Sequence, residues 1–275
     1  MVAHEARSRA EQAPAWPTPP YPHRANSESL FISDLHLAPE RPDTVALFLD
    51  FLNSRARDAA RLFILGDLFD AWIGDDDDTP THRAVIDALR GLSDSGTACA
   101  LMHGNRDFLI GRRFARAAGC TLLRDPTRIE LDREPLLLMH GDLLCTDDLA
   151  YQRFRRKVRN PVVQRLFLWK SLSARRRVAA DYRQKSSAAN QNKTADIMDV
   201  NPDEVARRMQ RAGVQRLVHG HTHRPADHEF QLNGGSAMRH VLSDWHDDRG
   251  EALVHHPGSW SRLTIAPGLD NTCAR

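Results

Sequence analysis

Residues that can bind metal ions recur along this chain, and most of them stand next to a glycine. They carry carboxylate, amide or imidazole groups: Asp34, His36, Asp67, Asn105, His140, His221 and His223. Oxygen and nitrogen ligands without thiolate suit manganese, iron or zinc, and the mixed set favours manganese. This set is too large for one ion but suits two ions about 3.5–4 Å apart that share a carboxylate, for which Asp67 is the best candidate. Such a pair generates a bridging hydroxide near neutral pH, so the pattern predicts a hydrolytic centre.

Taken singly, these residues have simpler interpretations. His140 alone is more often a histidine satisfied by ordinary hydrogen bonds, and Asp34 or Asp67 alone is more often a helix cap. The joint pattern outweighs these interpretations, because five separate apolar runs each end in Asp, His or Asn. Residues 75–78 are four consecutive aspartates, which are more typical of a solvated loop than of a metal site.

The apolar runs before the candidate ligands predict the strands that position them. They cover residues 30–32, 62–65, 98–102, 136–139 and 217–218. Amphipathic stretches at 44–57 and 82–92 separate the first three, which predicts a largely parallel or mixed sheet whose ligands meet at one rim. The Asp34-x-His36 spacing predicts two side chains on the same side of an extended segment. Three further runs predict strands that finish a second sheet, at about 239–245, 252–256 and 259–265.

Two parts of the chain depart from this alternation. Residues 1–27 are polar and then proline-rich, which predicts a disordered extension. Residues 147–195 form one long helical stretch, which predicts an insertion that meets anionic lipid or phosphate; alternatively its aromatic residues pack on the core and its arginines form a solvated face. The basic residues of the insertion are Arg153, Arg155, Arg156, Lys157, Arg159, Arg165, Lys170, Arg175, Arg176, Arg177, Arg183 and Lys185.

Composition limits the remaining function classes. The chain has 275 residues and a formal charge of +2, so no global field favours nucleic acid or membrane. Its 4 cysteines include no C-x-x-C pair, which argues against a thiolate zinc site and fits a reducing cytosol. No apolar run reaches the roughly 18–20 residues needed to span a bilayer, and no signal peptide is evident. We therefore expect a soluble or peripheral protein.

The ordered motifs D-x-H, G-D, G-N-x-D and G-H-x-H resemble those of the calcineurin-like metallophosphoesterases. The resemblance covers about residues 29–225 and implies a four-layer α/β/β/α sandwich. It implies a core at 28–146 and 196–268, a helical lid at 147–195, and no direct metal contact for His219. One metal ion would be held by Asp34, His36, Asp67 and His223. The other would be held by Asp67, Asn105, His140 and His221.

One motif departs from the pattern of much of this family. Where other members have G-N-H followed by an acid, this chain has Gly104-Asn105-Arg106-Asp107. An arginine is a poor proton donor, but it binds phosphate oxygens and stabilises charge in a transition state. This suits a leaving group that needs little protonation, such as a phosphate monoester with a second pKa of about 6. The departure therefore favours cleavage of a pyrophosphate over that of an alkyl ester.

Finer features at 102–108 and 219–225 resemble the branch of the family that acts in lipid A synthesis in Gram-negative bacteria. This implies manganese-dependent cleavage of UDP-2,3-diacylglucosamine to UMP and 2,3-diacylglucosamine 1-phosphate by water attack at the UMP phosphorus. We expect a monomer on the cytoplasmic face of the inner membrane, attached through the basic insertion. The implied catalytic residues are Asp67, Asn105 and Arg106. The implied substrate contacts are Asn105, Arg106, Asp148, Ser186, Asn190, Lys193 and His221.

Two other functions fit parts of the sequence. The same two-metal centre could cut nucleic acid held by the basic run at 153–177, although the near-neutral net charge argues against a nucleic acid partner. A catalytically silent module that binds lipid or nucleotide would keep the fold, but every expected ligand is present. Turnover of a DNA substrate would support the first function, and binding of a UDP-sugar lipid without UMP release would support the second.

Overall fold

A computed structural model describes residues 27–191 and 199–268, without the side chains of residues 184–191. Within these ranges the chain forms two β-sheets and seven α-helices, which confirms the predicted mixed α/β fold. The extension predicted for residues 1–27 lies, apart from its last residue, outside the described part of the chain.

The first sheet is mixed and has six strands. They are β1 (Ser29–Ile32), β2 (Arg61–Ile64), β3 (Ala98–Met102), β4 (Cys120–Leu123), β10 (Gly250–His256) and β11 (Ser259–Ile265). Strands β1 to β4 are parallel, and β10 pairs antiparallel with β1 so that the order is β11-β10-β1-β2-β3-β4. The prediction that the last runs finish the second sheet was wrong for β10 and β11. All four residues of β1 are buried, so their backbone N–H and C=O groups need partner strands on both edges.

The second sheet has five strands and carries the other apolar runs. They are β5 (Thr127–Leu131), β6 (Glu134–Met139), β7 (Arg216–His219), β8 (Ala226–Leu232) and β9 (Gly235–Val241). Strands β6, β7 and β9 are parallel neighbours, and the order is β5-β6-β7-β9-β8.

Alternation of side chains along the strands produces the layers. Leu30 and Ile32 of β1 join the cluster formed with α1 (Pro42–Asn53), α2 (Pro80–Asp94) and α3 (Arg112–Ala118), whereas Phe31 points to the other face of the sheet. There Phe31 packs with Leu136, Leu138 and Val218 of the second sheet. The outer face of the second sheet packs against α7 (Pro202–Ala212). The result is the four-layer order helix, sheet, sheet, helix.

The insertion consists of three helices, not the single long stretch predicted. They are α4 (Leu149–Val158), α5 (Pro161–Leu168) and α6 (Leu172–Gln191). The break between α4 and α5 falls at Asn160 and Pro161. The Asn160 Oδ1 atom accepts the Val162 N–H at 2.9 Å and caps α5, and proline at the first helical position cannot continue α4.

The aspartate run at 75–78 links neighbouring helices to the core, so its interpretation as a solvated loop was wrong for Asp75 and Asp77, whereas Asp76 and Asp78 are exposed. Asp75 accepts the backbone N–H groups of Gly111 and Phe114 at the start of α3, at 2.8 and 3.1 Å. Asp76 pairs with Arg175 of α6, and Asp77 pairs with Arg176 at 2.6 Å. These contacts link α6 to the first sheet.

Within the described ranges, no helix has both the length and the apolar character that crossing a bilayer requires.

Candidate metal centre

The seven predicted ligands lie beyond the carboxyl ends of five parallel strands that belong to both sheets. Those of the first sheet follow β1, β2 and β3: Asp34, His36, Asp67 and Asn105. Those of the second sheet follow β6 and β7: His140, His221 and His223. The structure therefore brings the predicted residues to one edge of the sandwich, where the two sheets meet.

Five of the seven ligands have a left-handed backbone. The φ angle is +56° at Asp34, +50° at His36, +51° at Asp67, +72° at His221 and +53° at His223. The prediction that Asp34 and His36 lie on an extended segment was therefore wrong. Few residues other than glycine adopt this conformation, and such outliers concentrate at functional sites.

Ligand atoms form two groups that fit metal ions. The candidate atoms of Asp34, His36 and His223 lie within 4.8 Å of one another, as do those of Asp34, Asp67 and His140. Within the described residues, Asp34 Oδ1 and His36 Nδ1 are buried without a hydrogen-bond partner. Buried polar atoms are normally satisfied, so these two orphans fit a bound cation. The site can thus hold divalent metal.

Asp67 faces both halves of the site. Its Oδ2 atom lies 3.9 Å from His36 Nδ1, and its Oδ1 atom lies 3.9 Å from His140 Nε2. The Oδ1 atom also accepts the backbone N–H of Arg106 at 2.8 Å, which fixes the orientation of the carboxylate. This geometry fits the bridging position predicted for Asp67.

His140 is oriented for binding through Nε2. Its Nδ1 atom lies 2.9 Å from the carbonyl oxygen of Leu65 and therefore carries the proton that it donates. The Nε2 atom lies 2.9 Å from Asn105 Oδ1, which places the amide beside the imidazole. The His221 ring stacks edge-on against His140 at 5.0 Å but belongs to neither three-residue group.

Asp244 supports the site, and the sequence analysis missed it. Its Oδ2 atom lies 3.3 Å from His223 Nδ1. The other ring nitrogen of His223, Nε2, lies 3.3 Å from His36 Nε2. Carboxylates commonly orient metal-binding histidines in this way. Asp244 follows β9 and has no motif neighbour, so no local signal identifies it.

The electrostatics of the cluster reflect buried groups of both signs. Burial raises the pKa of Asp67 to about 7, and the negative charges of Asp107 and Asp34 act in the same direction. Burial opposes ionisation of Asp34 too, yet the neighbouring histidines hold its pKa well below the usual range. Although burial lowers the pKa of His140, Asp67 and Asp34 raise it to about 9. A divalent cation would relieve the crowding of these carboxylates.

Asp107 ties the loops after β2 and β3 together. Its Oδ1 atom accepts the Gly104 N–H at 2.7 Å, and its Oδ2 atom accepts the Leu68 N–H at 2.8 Å. Gly104 consequently lies against Asp67: a Cβ atom at Gly104 would stand 2.7 Å from Asp67 Cγ and closer still to its Oδ1 and backbone nitrogen. Only glycine fits here.

Arg106 is linked to the insertion through Asp70. The Arg106 guanidinium pairs with Asp70 Oδ1 at 2.5 Å, and Arg183 of α6 pairs with Asp70 Oδ2 at 2.8 Å. Burial disfavours the charged carboxylate, but Arg183 and Arg106 lower the pKa of Asp70. Asp70 therefore holds Arg106 next to the metal ligands and connects it to α6.

Helix α4 contacts the metal loops through charged groups. Arg155 and Tyr151 bind the buried Asp142 Oδ2 at 2.6 and 2.7 Å, and Arg159 donates to the carbonyl oxygen of Gly104 at 2.7 Å. Part of the positive charge of the insertion is therefore paired within the fold, and these residues neither meet an anionic partner nor form a solvated face. Five basic residues of the insertion pair with the core: Arg155, Arg159, Arg175, Arg176 and Arg183.

The predicted substrate contacts outside the motifs are placed only in part. Asp148 caps α4, with its Oδ1 atom accepting the Tyr151 N–H at 3.0 Å, and its side chain is buried. The side chains of Ser186 and Asn190, and all of Lys193, lie outside the described residues. Their contacts with a substrate stay predictions. His219 is buried, binds the Gly220 carbonyl oxygen at 2.8 Å and lies in neither metal group.

Known proteins resemble this chain over most of its length. The calcineurin-like phosphoesterase family matches residues 29–225. A Salmonella arizonae protein named UDP-2,3-diacylglucosamine hydrolase is 54% identical over 86% of this chain and 95% of its own. A Pseudomonas fluorescens protein of the same name is 55% identical over 82% and 90%. Among solved structures, the E. coli phosphoesterase Yfce is similar with a TM-score of 0.41 and 15% identity, over 86% of this chain and 99% of that chain.

Proposed function

The chain belongs to the calcineurin-like phosphoesterase family, and we propose that it hydrolyses UDP-2,3-diacylglucosamine to UMP and 2,3-diacylglucosamine 1-phosphate, the lipid A pathway reaction. The observation that carries this proposal is the 54% identity to a hydrolase of this name over 95% of that protein's length. The metal groups at the sheet edge agree with it, since this family of hydrolases depends on divalent metal.

We assign one cation to Asp34, His36, Asp67 and His223, and the other to Asp67, Asn105, His140 and His221. When bound, two divalent cations, by our proposal Mn²⁺, activate water and neutralise charge at the phosphorus. The bond that breaks joins the UMP phosphorus to the bridging oxygen; oxygen from water enters UMP, and the sugar 1-phosphate leaves. Arg106 would bind phosphate oxygens, because its half-exposed guanidinium is held beside Asp67 and Asp70.

The direct test measures UMP release by full-length protein freed of metal and then supplied with Mn²⁺, Mg²⁺ or Zn²⁺. In water labelled with ¹⁸O, the label should appear in UMP and not in the lipid phosphate. Metal-dependent release of labelled UMP supports the proposal. Release of label into the lipid product contradicts the assigned bond, and turnover only of a simple diester or of DNA favours the phosphodiesterase alternative. The internal ion pairs of α4 and α6 weaken that alternative, because they occupy arginines that nucleic acid would need.

Replacing Asp70 by asparagine should lower kcat/KM about tenfold without loss of metal. Asparagine cannot pair with two guanidinium groups as a carboxylate does, so Arg106 and Arg183 would both be released. Steady-state kinetics and elemental analysis of the same preparation measure the two quantities. Asp78→Asn is the matched control, because Asp78 pairs with the exposed Arg83 away from the centre. Unchanged kinetics in Asp70→Asn would rule out a positioning role.

We also propose that the protein attaches to the cytoplasmic face of the inner membrane through α5. Among the described residues, every large exposed hydrophobic side chain lies in the insertion, between 149 and 182. Val162, Leu166 and Trp169 are 65, 54 and 72% exposed and lie on one face at helical spacing. The exposed Arg165 and Lys170 beside them can meet anionic headgroups.

The double variant Leu166→Ala, Trp169→Ala should bind vesicles of anionic phospholipid at least tenfold more weakly, because it removes most of the apolar face. Cosedimentation with anionic and with neutral vesicles measures the loss, and elemental analysis should show unchanged metal. Arg211→Gln serves as a control, since it removes an exposed charge from α7. Equal vesicle binding by the double variant and the parent protein would exclude α5 as the attachment site.

A further inference from the structure

A cavity of about 220 Å³ adjoins the loop that carries His221 and His223. Thr222, which stands between these two ligands, lines one wall, and the chain continues along the cavity through Arg224. The cavity therefore lies beside the loop that carries these two ligands, although none of the seven ligands lines it. The volume is below the roughly 300 Å³ at which sites for drug-sized ligands begin, so the cavity suits part of a large substrate.

Arg239 gives the cavity a positive charge that takes part in no ion pair within the described residues. It lies on β9 opposite Leu217, and its guanidinium donates to His219 Nε2 at 3.4 Å. Within 27–191 and 199–268, no carboxylate lies within ion-pair distance of Arg239. Burial lowers the pKa of Arg239, and the negative charge of Asp199 opposes this effect only in part.

The other charged groups of the cavity leave it basic. Arg224 lies at the rim and pairs with Asp199 Oδ2 at 2.6 Å. The other carboxylate oxygen, Asp199 Oδ1, accepts the backbone N–H of Val200 at 2.7 Å. The one lining carboxylate is thus already engaged, whereas the lining includes two guanidinium groups and the His228 ring.

We propose that this cavity binds the UMP half of the substrate, with the Arg239 guanidinium donating to oxygen atoms of the nucleotide. Guanidinium groups recognise phosphate and carbonyl oxygens, and a pyrimidine nucleoside monophosphate offers both. The exposed apolar side chains lie on the insertion and suit the lipid half, while the cavity is small and basic. The assignment rests on the proposed function, because that reaction makes UMP the nucleotide product.

The test compares Arg239→Gln with the parent enzyme, both full length and loaded with Mn²⁺. We expect the inhibition constant of UMP and the KM of the lipid substrate each to rise at least tenfold, with kcat within about threefold and metal content unchanged. Arg239→Lys should recover part of the affinity by restoring the charge. Arg211→Gln, an exposed arginine of α7, should behave as the parent, and thermal unfolding shows whether each variant is folded. An unchanged UMP inhibition constant in folded Arg239→Gln overturns the assignment.

Uridine and inorganic phosphate, used as inhibitors beside UMP, identify the atoms recognised. Weaker uridine inhibition in Arg239→Gln places the contact on the nucleoside, whereas a loss confined to UMP places it on the phosphate. If UMP inhibits the parent no better than inorganic phosphate does, the cavity is a general anion site and the nucleotide assignment fails.

Calorimetry of UMP binding separates failure of this assignment from failure of the proposed function. UMP binding that is lost in Arg239→Gln, in a protein that does not turn over the lipid, would keep the cavity assignment and reject the reaction. Turnover of the lipid, together with equal UMP binding by Arg239→Gln and the parent, would support the reaction and reject the cavity assignment.

Discussion

Asp67→Asn is expected to lose more than about 100-fold in turnover and at least one equivalent of bound metal. Substitution of a residue that only orients a metal ligand typically lowers metal affinity or activity about 10–100-fold. Asp67 is itself a candidate ligand and faces both halves of the site, so its loss should have a larger effect. The metal-free variant should unfold at the same temperature as the metal-free parent or higher, because the substitution removes one of two crowded, buried carboxylates. Added Mn²⁺ should stabilise the parent much more than the variant.

Elemental analysis, UMP release and thermal unfolding with and without Mn²⁺ measure these effects. Asp77→Asn is the matched control, since Asp77 is also a buried aspartate but pairs with Arg176 and lies in neither metal group. This control should keep its metal, its turnover and its stabilisation by Mn²⁺. Full metal content together with full turnover in Asp67→Asn would show that the carboxylate does not bridge.

Gly104→Ala is expected to remove turnover and metal binding as completely as the loss of a ligand. The added methyl group would overlap Asp67, including its backbone nitrogen, which cannot move aside as a flexible side chain can. Gly104 cannot move away from Asp67, because the Asp107 carboxylate accepts hydrogen bonds from both the Gly104 N–H and the Leu68 N–H. The loops after β2 and β3 would have to separate, which would move Asp67 and Asn105 away from the other ligands.

Gly91→Ala provides the comparison for Gly104→Ala. Gly91 lies inside α2, where a Cβ atom would meet only Arg57 at an ordinary 3.7 Å. That substitution should stabilise the fold by about 0.5–1 kcal/mol and keep activity, because alanine favours a helix interior. Circular dichroism and elemental analysis distinguish a folded, metal-free Gly104→Ala from an unfolded one; a folded variant with normal metal and turnover would contradict the predicted overlap.

Local sequence was sufficient to find the five strands that carry the candidate ligands and the residues at their ends, but it did not predict β4, β5 or β8. Apolar runs such as 62–65 are too short and too apolar to be surface helices, and a polar residue, beside glycine at all of these strands but β1, marks the point at which each strand stops. The same information could not divide the strands between sheets. The partner of β1 is β10, more than 200 residues away, and only the need of a fully buried strand for two neighbours connects them.

Residues that support the ligands were harder to predict because their role exists only in three dimensions. Asp244 reaches His223 after an entire hairpin, and Asp70 meets both Arg106 and Arg183 across the boundary between core and insertion. The partners of the basic residues in the insertion could not be predicted for a related reason. Composition records the charge of Arg155 or Arg175, but whether a buried carboxylate neutralises it depends on packing.

The left-handed backbone at five ligands has a consequence for how such a site could decay over evolutionary time. For an ordinary residue this conformation costs roughly 1–2 kcal/mol, whereas glycine and, to a lesser degree, asparagine and aspartate adopt it more easily. A lineage freed from selection for catalysis would gain folding stability by exchanging His36 or His223 for glycine. Loss of the chemistry and a more stable fold would then arrive in the same mutational step, which makes return to an active ancestor unfavourable.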